Sequence, residues 1–277
     1  MNTSSTLPQL KGMLGAESVK KRFQEILGKK APGFISSVLS CVNSNNLLQT
    51  AEPQSVLNSA VIAATLDLPV NPNLGFAAIV PYKDRLRGNI AQFQLMYKGL
   101  IELCLRSGQF SALIDEVVYE GQLVSKNKFT GQYVFDEDAK ASDKPIGYMA
   151  YFRLVNGFEK TFYMTVDEVE AHAKKYSQSY KKGYGVWKDD FDIMARKTVL
   201  KLLLAKYAPK SIEMQQAIIF DQAAVKNDLT QASVDEAEIE YVDNNPQASL
   251  ADMAAEAAEA AGDNSGGLFN GANENGH

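Results

Sequence analysis

The chain has 277 residues, 45% hydrophobic and 22% charged, enough for one large domain or two small ones. No apolar run approaches the ~20 residues of a membrane span, and the N-terminus, MNTSSTLPQLKG, lacks a signal-peptide core. The formal charge of -5 hides an asymmetry: all 28 Lys and Arg lie at or before Lys226 with 22 of the 33 Asp and Glu, leaving +6 there and -11 on the last 51 residues.

A basic body with an acidic tail is a layout common among nucleic-acid-binding proteins. The two cysteines, Cys41 and Cys104, sit inside apolar helical patterns and read as small buried hydrophobes. A disulfide scaffold is therefore not expected, and a cytoplasmic location is.

In chain order, residues 1–15 read as a disordered N-terminus. Ser18 to Leu27 and Pro32 to Val42 form two short helical patterns. A third runs from Pro53 to Leu66, with proline in the first turn, where a missing N–H costs nothing. Its face Val56, Ala60, Ala63, Ala64 is small and permits close packing. A loop of turn formers follows from Pro69 to Gly75.

Phe76 to Tyr82 and Asn89 to Tyr97 then read as a hairpin with a six-residue basic tip, Lys83 to Gly88. Pro81 places the first strand at an edge. In the second strand Ala91, Phe93 and Leu95 alternate with Gln92, Gln94 and Met96, which predicts a core face and an amide-rich face. Lys98 to Ser107 is helical, with Gly108 as its C-cap.

Phe110 to Tyr119 and Gln132 to Asp136 have strand character. Ile146 to Leu154 and Phe158 to Met164 form a hairpin about Val155-Asn156-Gly157. Thr165 and Glu168 make a capping box for a helix over Val166 to Tyr176.

The longest helical pattern is Asp189 to Ser211, followed by a short one from Ile212 to Phe220. Phe191, Met194, Val199, Leu202 and Leu203 supply its core stripe. Lys197 and Lys201 stand four apart and share a face. Like charges so placed repel weakly, and an anion along that face would turn the cost into a gain. From about Lys226 the composition becomes too polar and acidic to offset its ordering entropy, so 226–277 reads as a flexible acidic tail.

Catalytic patterns are mostly lacking. The sequence has no GxxxxGK[ST] phosphate loop, no HExxH and no zinc spacing, and its two histidines are His172 and His277. Asp136, Asp138 and Lys140 form a fragment of the carboxylate-plus-lysine pattern of metal-dependent nucleases, and keep a DNA nuclease open as an alternative. A self-assembling structural protein is a third reading.

What remains is a binding constellation. It contains the cations Lys83, Arg85, Arg87, Lys98, Arg106, Lys188, Arg196, Lys197, Lys201 and Lys206, the aromatics Phe93, Tyr97, Tyr184, Trp187 and Phe191, and the amides Gln92 and Gln94. Cations engage phosphates, and aromatic faces contact unstacked bases.

Two blocks of this sequence resemble the RecT family of phage single-strand annealing recombinases. The first is Asn71 to Tyr119, with a Pro-x-x-Gly loop, an Ile-Val-Pro-Tyr strand, a Gln-Phe-Gln strand, Tyr-Lys-Gly-Leu and Arg-Ser-Gly. The second carries Trp187, Phe191, Met194-Ala195, Lys197-Thr198, Lys206-Tyr207 and Pro209. The resemblance spans about Ser18 to Phe220. Met96 departs from it, standing where family members often have glycine.

The resemblance implies an α+β fold: a β-hairpin or meander packed on a long helix, similar to the core of eukaryotic strand-annealing proteins. It implies a DNA-binding, annealing and oligomerisation core, here 16–225. It further implies ATP-independent pairing of single-stranded DNA into annealed duplex, homo-oligomeric rings or helical filaments, and a phage exonuclease as partner. A host single-strand-binding protein is expected as a second partner, both through the acidic tail, with no cofactor and no membrane. In this expectation the helix with Arg196, Lys197 and Lys201 walls a groove and the Lys83–Asn89 hairpin reaches over it.

Overall fold

The computed structural model describes residues 5–240 apart from Arg85, Lys128, Lys182, Tyr184, Gly185 and Lys210, and apart from the side chains of Gln178 and Ser179. The first helix, α1 (Leu7–Gly15), departs from the disordered N-terminus expected over 1–15. Leu7, Leu10 and Leu14 share one helical face, and Leu10 and Leu14 are buried. Thr6 ties the helix down, its Oγ1 donating to the carbonyls of Gln49 and Ala51 at 2.9 and 2.7 Å.

Three helices follow, α2 (Glu17–Leu27), α3 (Ala31–Asn43) and α4 (Pro53–Thr65). α4 is buried along nearly its whole length, with Ala60, Ala63 and Ala64 at its centre. Small side chains let α1 and α2 approach it from one side and a β-hairpin from the other.

That hairpin is β1 (Ala77–Asp84) paired with β2 (Gly88–Leu95). Lys83 pairs with Asn89 and Asp84 with Gly88, so the tip is shorter than the six residues expected. Arg85 lies outside the described residues. Pro81 sits opposite Ala91, whose N–H bonds outward to Ser55 Oγ at 2.8 Å. That pair exchanges no ladder bond, so proline's missing donor costs the hairpin nothing.

α5 (Tyr97–Arg106) leads into β3 (Phe110–Tyr119). A small hairpin, β4 (Leu123–Asn127) with β5 (Gln132–Phe135), leans its Tyr133 and Phe135 rings on Tyr163. β6 (Pro145–Leu154) and β7 (Glu159–Thr165) complete a three-stranded antiparallel sheet in the order β3-β6-β7. The turn at Asn156-Gly157 is as expected, with Gly157 at φ 87°. α6 (Val166–Tyr176) begins with the Thr165–Glu168 capping box.

Next come α7 (Gln178–Lys181), α8 (Val186–Asp189), α9 (Phe191–Tyr207) and α10 (Ile212–Phe220). α9 packs across the three-stranded sheet. Its buried set is wider than the stripe expected, adding Ala195, Leu200, Leu204 and Ala205 to Val199, Leu202 and Leu203. The helix is covered on more than one side, and its polar residues therefore need internal partners.

The composition shift at residue 226 is not where packing ends. β8 (Ala224–Val225) pairs with β9 (Ile239–Glu240), and Leu229 is fully buried between them in sequence. Asn58 of α4 holds the loop from both sides, donating to the Asn227 carbonyl at 2.8 Å and accepting from the Leu229 N–H at 3.1 Å. The expected tail boundary moves to about residue 240, because one buried leucine and one buried amide outweigh an acidic average. Residues 241–277 lie outside the described residues.

Candidate nucleic-acid interface

Among the described residues β2 pairs with β1 alone, and several backbone groups on its outer edge are bonded elsewhere. Asn89 O accepts from Glu52 N at 2.8 Å, and Phe93 O from Gln222 N at 2.9 Å. Leu95 O accepts from the Lys197 ammonium at 2.7 Å, while Leu95 N–H donates to Asp221 Oδ1 at 2.9 Å. The other Asp221 oxygen pairs with Lys201. Asp221 is 2% exposed, so its charge depends on Lys201.

The face carrying Lys197 and Lys201 therefore points at β2 and the end of α10. Burial pushes the Lys197 pKa down, with Asp221 opposing and Lys201 adding to the shift. These two lysines act as caps for a strand edge, a job normally done by a neighbouring strand.

Arg196 is also turned inward. Its Nε donates to Asp115 Oδ2 at 2.7 Å and its terminal nitrogen to the Asp115 carbonyl at 2.8 Å. Tyr97 donates its hydroxyl to the remaining carboxylate oxygen at 2.5 Å. Burial first, then Asp115, push the Tyr97 phenol up to about 12. One buried aspartate thus joins the start of α5, strand β3 and α9.

The expected stacking aromatics form an internal cluster. Trp187 is 8% exposed and meets Tyr180 edge-on at 5.6 Å and Phe191 at 5.5 Å. Phe191 in turn lies 6.0 Å from Tyr148, whose hydroxyl donates to Asp192 Oδ1 at 2.5 Å. Phe93 is fully buried, Gln92 is buried and Gln94 is half-buried, so β2 does not offer an amide-rich open face. α4 packs against β2, and its Ser55 accepts from the Ala91 N–H on the strand edge. Tyr184 lies outside the described residues.

The outward cations are a different subset. Lys83, Lys98, Arg106, Lys188 and Lys206 are exposed. Arg106 also reaches Glu102 at 3.6 Å and the Leu66 carbonyl at 2.8 Å, and Arg87 is half-buried 3.7 Å from Asp84. Lys206 stands 5.3 Å from the Tyr207 ring.

The acidic loop is not organised around a metal. Asp136 accepts the Asp138 N–H at 3.0 Å, while Lys140 pairs with Asp143 at 2.6 Å and lies over the Tyr119 ring. Among the described residues no group of three or more His, Cys, Asp or Glu is arranged to hold a metal ion. Nor, among them, is any helix long and apolar enough to cross a membrane.

Comparison with known proteins shows the family of the chain. The model of the RecT family matches residues 32–240, most of the chain. The chain belongs to the RecT family. It is 48% identical over 238 residues to YqaK of Bacillus subtilis, an uncharacterized protein, covering 86% of this chain and 80% of that one. It is 29% identical over 205 residues to Protein RecT of Escherichia coli, covering 72% and 75% respectively. Membership makes it a DNA recombination protein of the single-strand annealing kind.

In this RecT-family chain the two blocks that carry the resemblance touch each other. Leu95 of the first accepts from Lys197 of the second, and Asp115 of the first accepts from both Tyr97 and Arg196. The glycine of Tyr-Lys-Gly is explained by packing: a Cβ at Gly99 would stand 2.1 Å from the Phe76 carbonyl oxygen. Met96 precedes α5 with φ -93° and ψ 168°, an extended conformation open to any residue, so methionine fits there without strain.

The residues that sequence reasoning missed are Asp115 and Asp221, the acids that take up the basic helix. Asp115 had a readable signal. Strand alternation puts it on the same side as Leu113 and Val117, an acid on an apolar face.

Proposed function

We propose that this RecT-family protein binds single-stranded DNA without regard to sequence and anneals complementary strands without nucleotide hydrolysis, assembling into rings or helical filaments as it does so. The observation that carries this reading is the family match over 32–240, supported by the net positive charge of residues 1–226. Base pairing supplies the free energy of annealing, so the protein's task is to hold backbones and leave bases free.

The geometry supports a division of labour among the cations. Lys83, Lys98, Lys188 and Lys206, together with Arg85, Arg87 and Arg106, hold phosphates. Arg196, Lys197 and Lys201 are positioning residues that fix the hairpin and α5 to α9. Trp187 and Phe191 anchor the helix that carries Lys188; Tyr97 and Gln92 belong to the framework, and Gln94 stands at its margin. Residues 241–277 contain six carboxylates and no Lys or Arg. They serve as the docking segment for an exonuclease or a single-strand-binding protein.

Fluorescence anisotropy of a labelled single strand against salt tests the reading. Affinity falls with a log-log slope of about -0.7 per neutralised phosphate, and steeply between ~50 and ~200 mM salt. A flat dependence refutes phosphate-based binding.

A further inference from the structure

The partly buried cations of this fold have oxygen partners. Arg22 donates to the Ala232 carbonyl at 3.2 Å, and Arg87 lies 3.7 Å from Asp84. Arg196 and Lys201 pair with Asp115 and Asp221, and Lys197 donates to the Leu95 carbonyl. Lys160 of β7 is the exception. It is partly buried, yet it makes no hydrogen bond and no ion pair to any of the described residues. An ammonium carries three donors, and here none has an acceptor in the protein.

Its place is fixed all the same. Lys160 pairs with Phe152 across the sheet and reaches the end of α9, where its Nζ stands 5.1 Å from the centre of the Tyr207 ring. It also lies against Gly131, in the turn of the β4–β5 hairpin, and fills space that a side chain at that position would need. Three elements, β7, α9 and the hairpin, thus set one ammonium. The acids around it are engaged elsewhere. Glu159 accepts the Tyr151 hydroxyl at 2.6 Å, and strand alternation turns it to the other face of the sheet. Burial first, then Glu168 and Tyr207, push the Tyr133 phenol up, so Glu168 is an acid that faces this cluster; it accepts the Thr165 N–H at 2.7 Å.

Lys206 brings a second ammonium to 5.3 Å from the same ring. The two cations therefore stand no more than about 10 Å apart, each being just over 5 Å from the ring centre. Two such charges repel, and an anion beside them turns that cost into a gain. Lys206 lies in the last turn of α9, where a cation also offsets the helix dipole. Lys160 is supplied by a strand, so it is the residue on which the argument for a ligand turns.

We propose that Lys160 holds a backbone phosphate of the bound strand, carrying onto β7 the phosphate contact that Lys206 makes from α9. Phosphate oxygens are acceptors only, and they match an ammonium whose donors are unused; a charge-assisted bond of this kind is stronger than a neutral one. Tyr207 and Gly131 are positioning residues that set the ammonium. The inference rests on the DNA-binding reading above and adds to it a residue outside both motif blocks.

Lys160→Gln and Lys160→Arg, made in the full-length protein, test it. Anisotropy of a labelled single strand is followed from ~50 to ~200 mM salt, with thermal melts of the same samples. Lys160→Gln melts with the parent, because it removes no oxygen contact within the protein, and its log-log salt slope is flatter by about 0.7. Its deficit in affinity against the parent therefore shrinks by about two- to threefold over that range. Lys160→Arg keeps the parent's slope.

If the parent's slope is steep and Lys160→Gln keeps it, Lys160 holds no phosphate of the strand; the inference is overturned and the DNA-binding reading stands. A parent whose affinity is flat against salt refutes the DNA-binding reading itself. If Lys160→Gln melts below the parent and keeps its slope, Lys160 only packs on Tyr207, and the inference is again overturned. Inorganic phosphate, at matched ionic strength, separates a free anion from a strand. Should it raise the Tm of the parent but not of Lys160→Gln, with equal slopes on DNA, the site takes free phosphate and the proposal is overturned.

Discussion

Lys201→Ala separates a lysine that holds the fold from one that holds DNA. Lys201 is 20% exposed and its partner Asp221 is 2% exposed. Removing the lysine leaves a buried carboxylate held, among the described residues, by the Leu95 N–H and the nearby charge of Lys197. Breaking a buried pair from one side costs about 3–5 kcal/mol. The residual exposure of Lys201 lets water reach the site, so the expected loss is near the lower end, about 3 kcal/mol.

For a body of this size about 1 kcal/mol lowers Tm by ~2–4 °C, which gives a drop of ~6–12 °C. The double variant Lys201→Met with Asp221→Asn removes both charges and keeps an acceptor for Leu95. It recovers most of the loss, because an uncharged pair of similar volume carries no orphaned ion. Lys83→Ala is the reference: exposed, within about ±0.5 kcal/mol of the parent in stability, and weaker on DNA. Thermal melts with anisotropy on the same samples read both effects. Should Lys201→Ala melt with the parent yet lose DNA affinity, the inward pairing is not what this residue does and the division of labour collapses.

Three further outcomes follow from single features. His172 has a buried Nε2 with no hydrogen-bond partner among the described residues, and burial, then Lys201 and Lys175, push its pKa down to about 4. The folded state thus disfavours the charged ring, so stability is full above the unfolded value near 6.5 and falls as pH drops toward 4, by roughly 3 kcal/mol; His172→Gln flattens that stretch of the urea-unfolding profile, and an unchanged slope would count against it. Gly99→Ala drives a methyl into the Phe76 carbonyl and costs at least about 2 kcal/mol, read as a Tm drop or loss of soluble protein; an unshifted melt would show that the contact relaxes freely. Truncation after Glu240 leaves the melt unchanged, whereas truncation after Lys226 strips Leu229 and the Asn58 partners from α4 and lowers Tm by several degrees; equal melts would place the folded boundary back at 226.

Much of the fold was legible because its signals are local. The Thr165 capping box, the Asn156-Gly157 turn and the strand runs that become β3, β6 and β7 depend on neighbours in sequence, and they sit where the pattern puts them. The family resemblance was legible for the same reason, as motif blocks in order.

The candidate site was not, because the fate of a lysine depends on what lies opposite it. Lys197 and Lys201 share a helical face in sequence whether that face meets phosphates or Leu95 and Asp221. The deciding partners are distant in the chain: Asp115 is 81 residues from Arg196 and Asp221 is 126 from Leu95. The helix at Leu7–Gly15 escaped notice because three leucines in a polar stretch bury surface only once α4 is there to receive them.

Pairing of complementary strands unaided by hydrolysis is the proposed activity of this RecT-family protein. The most direct measurement mixes two complementary labelled oligonucleotides with full-length protein, in the absence of nucleotide, and follows duplex formation against a protein-free control. Acceleration of duplex formation, with both strands at full length, is the predicted result. Duplex formation no faster than in the control, or strands shortened during the incubation, would contradict it.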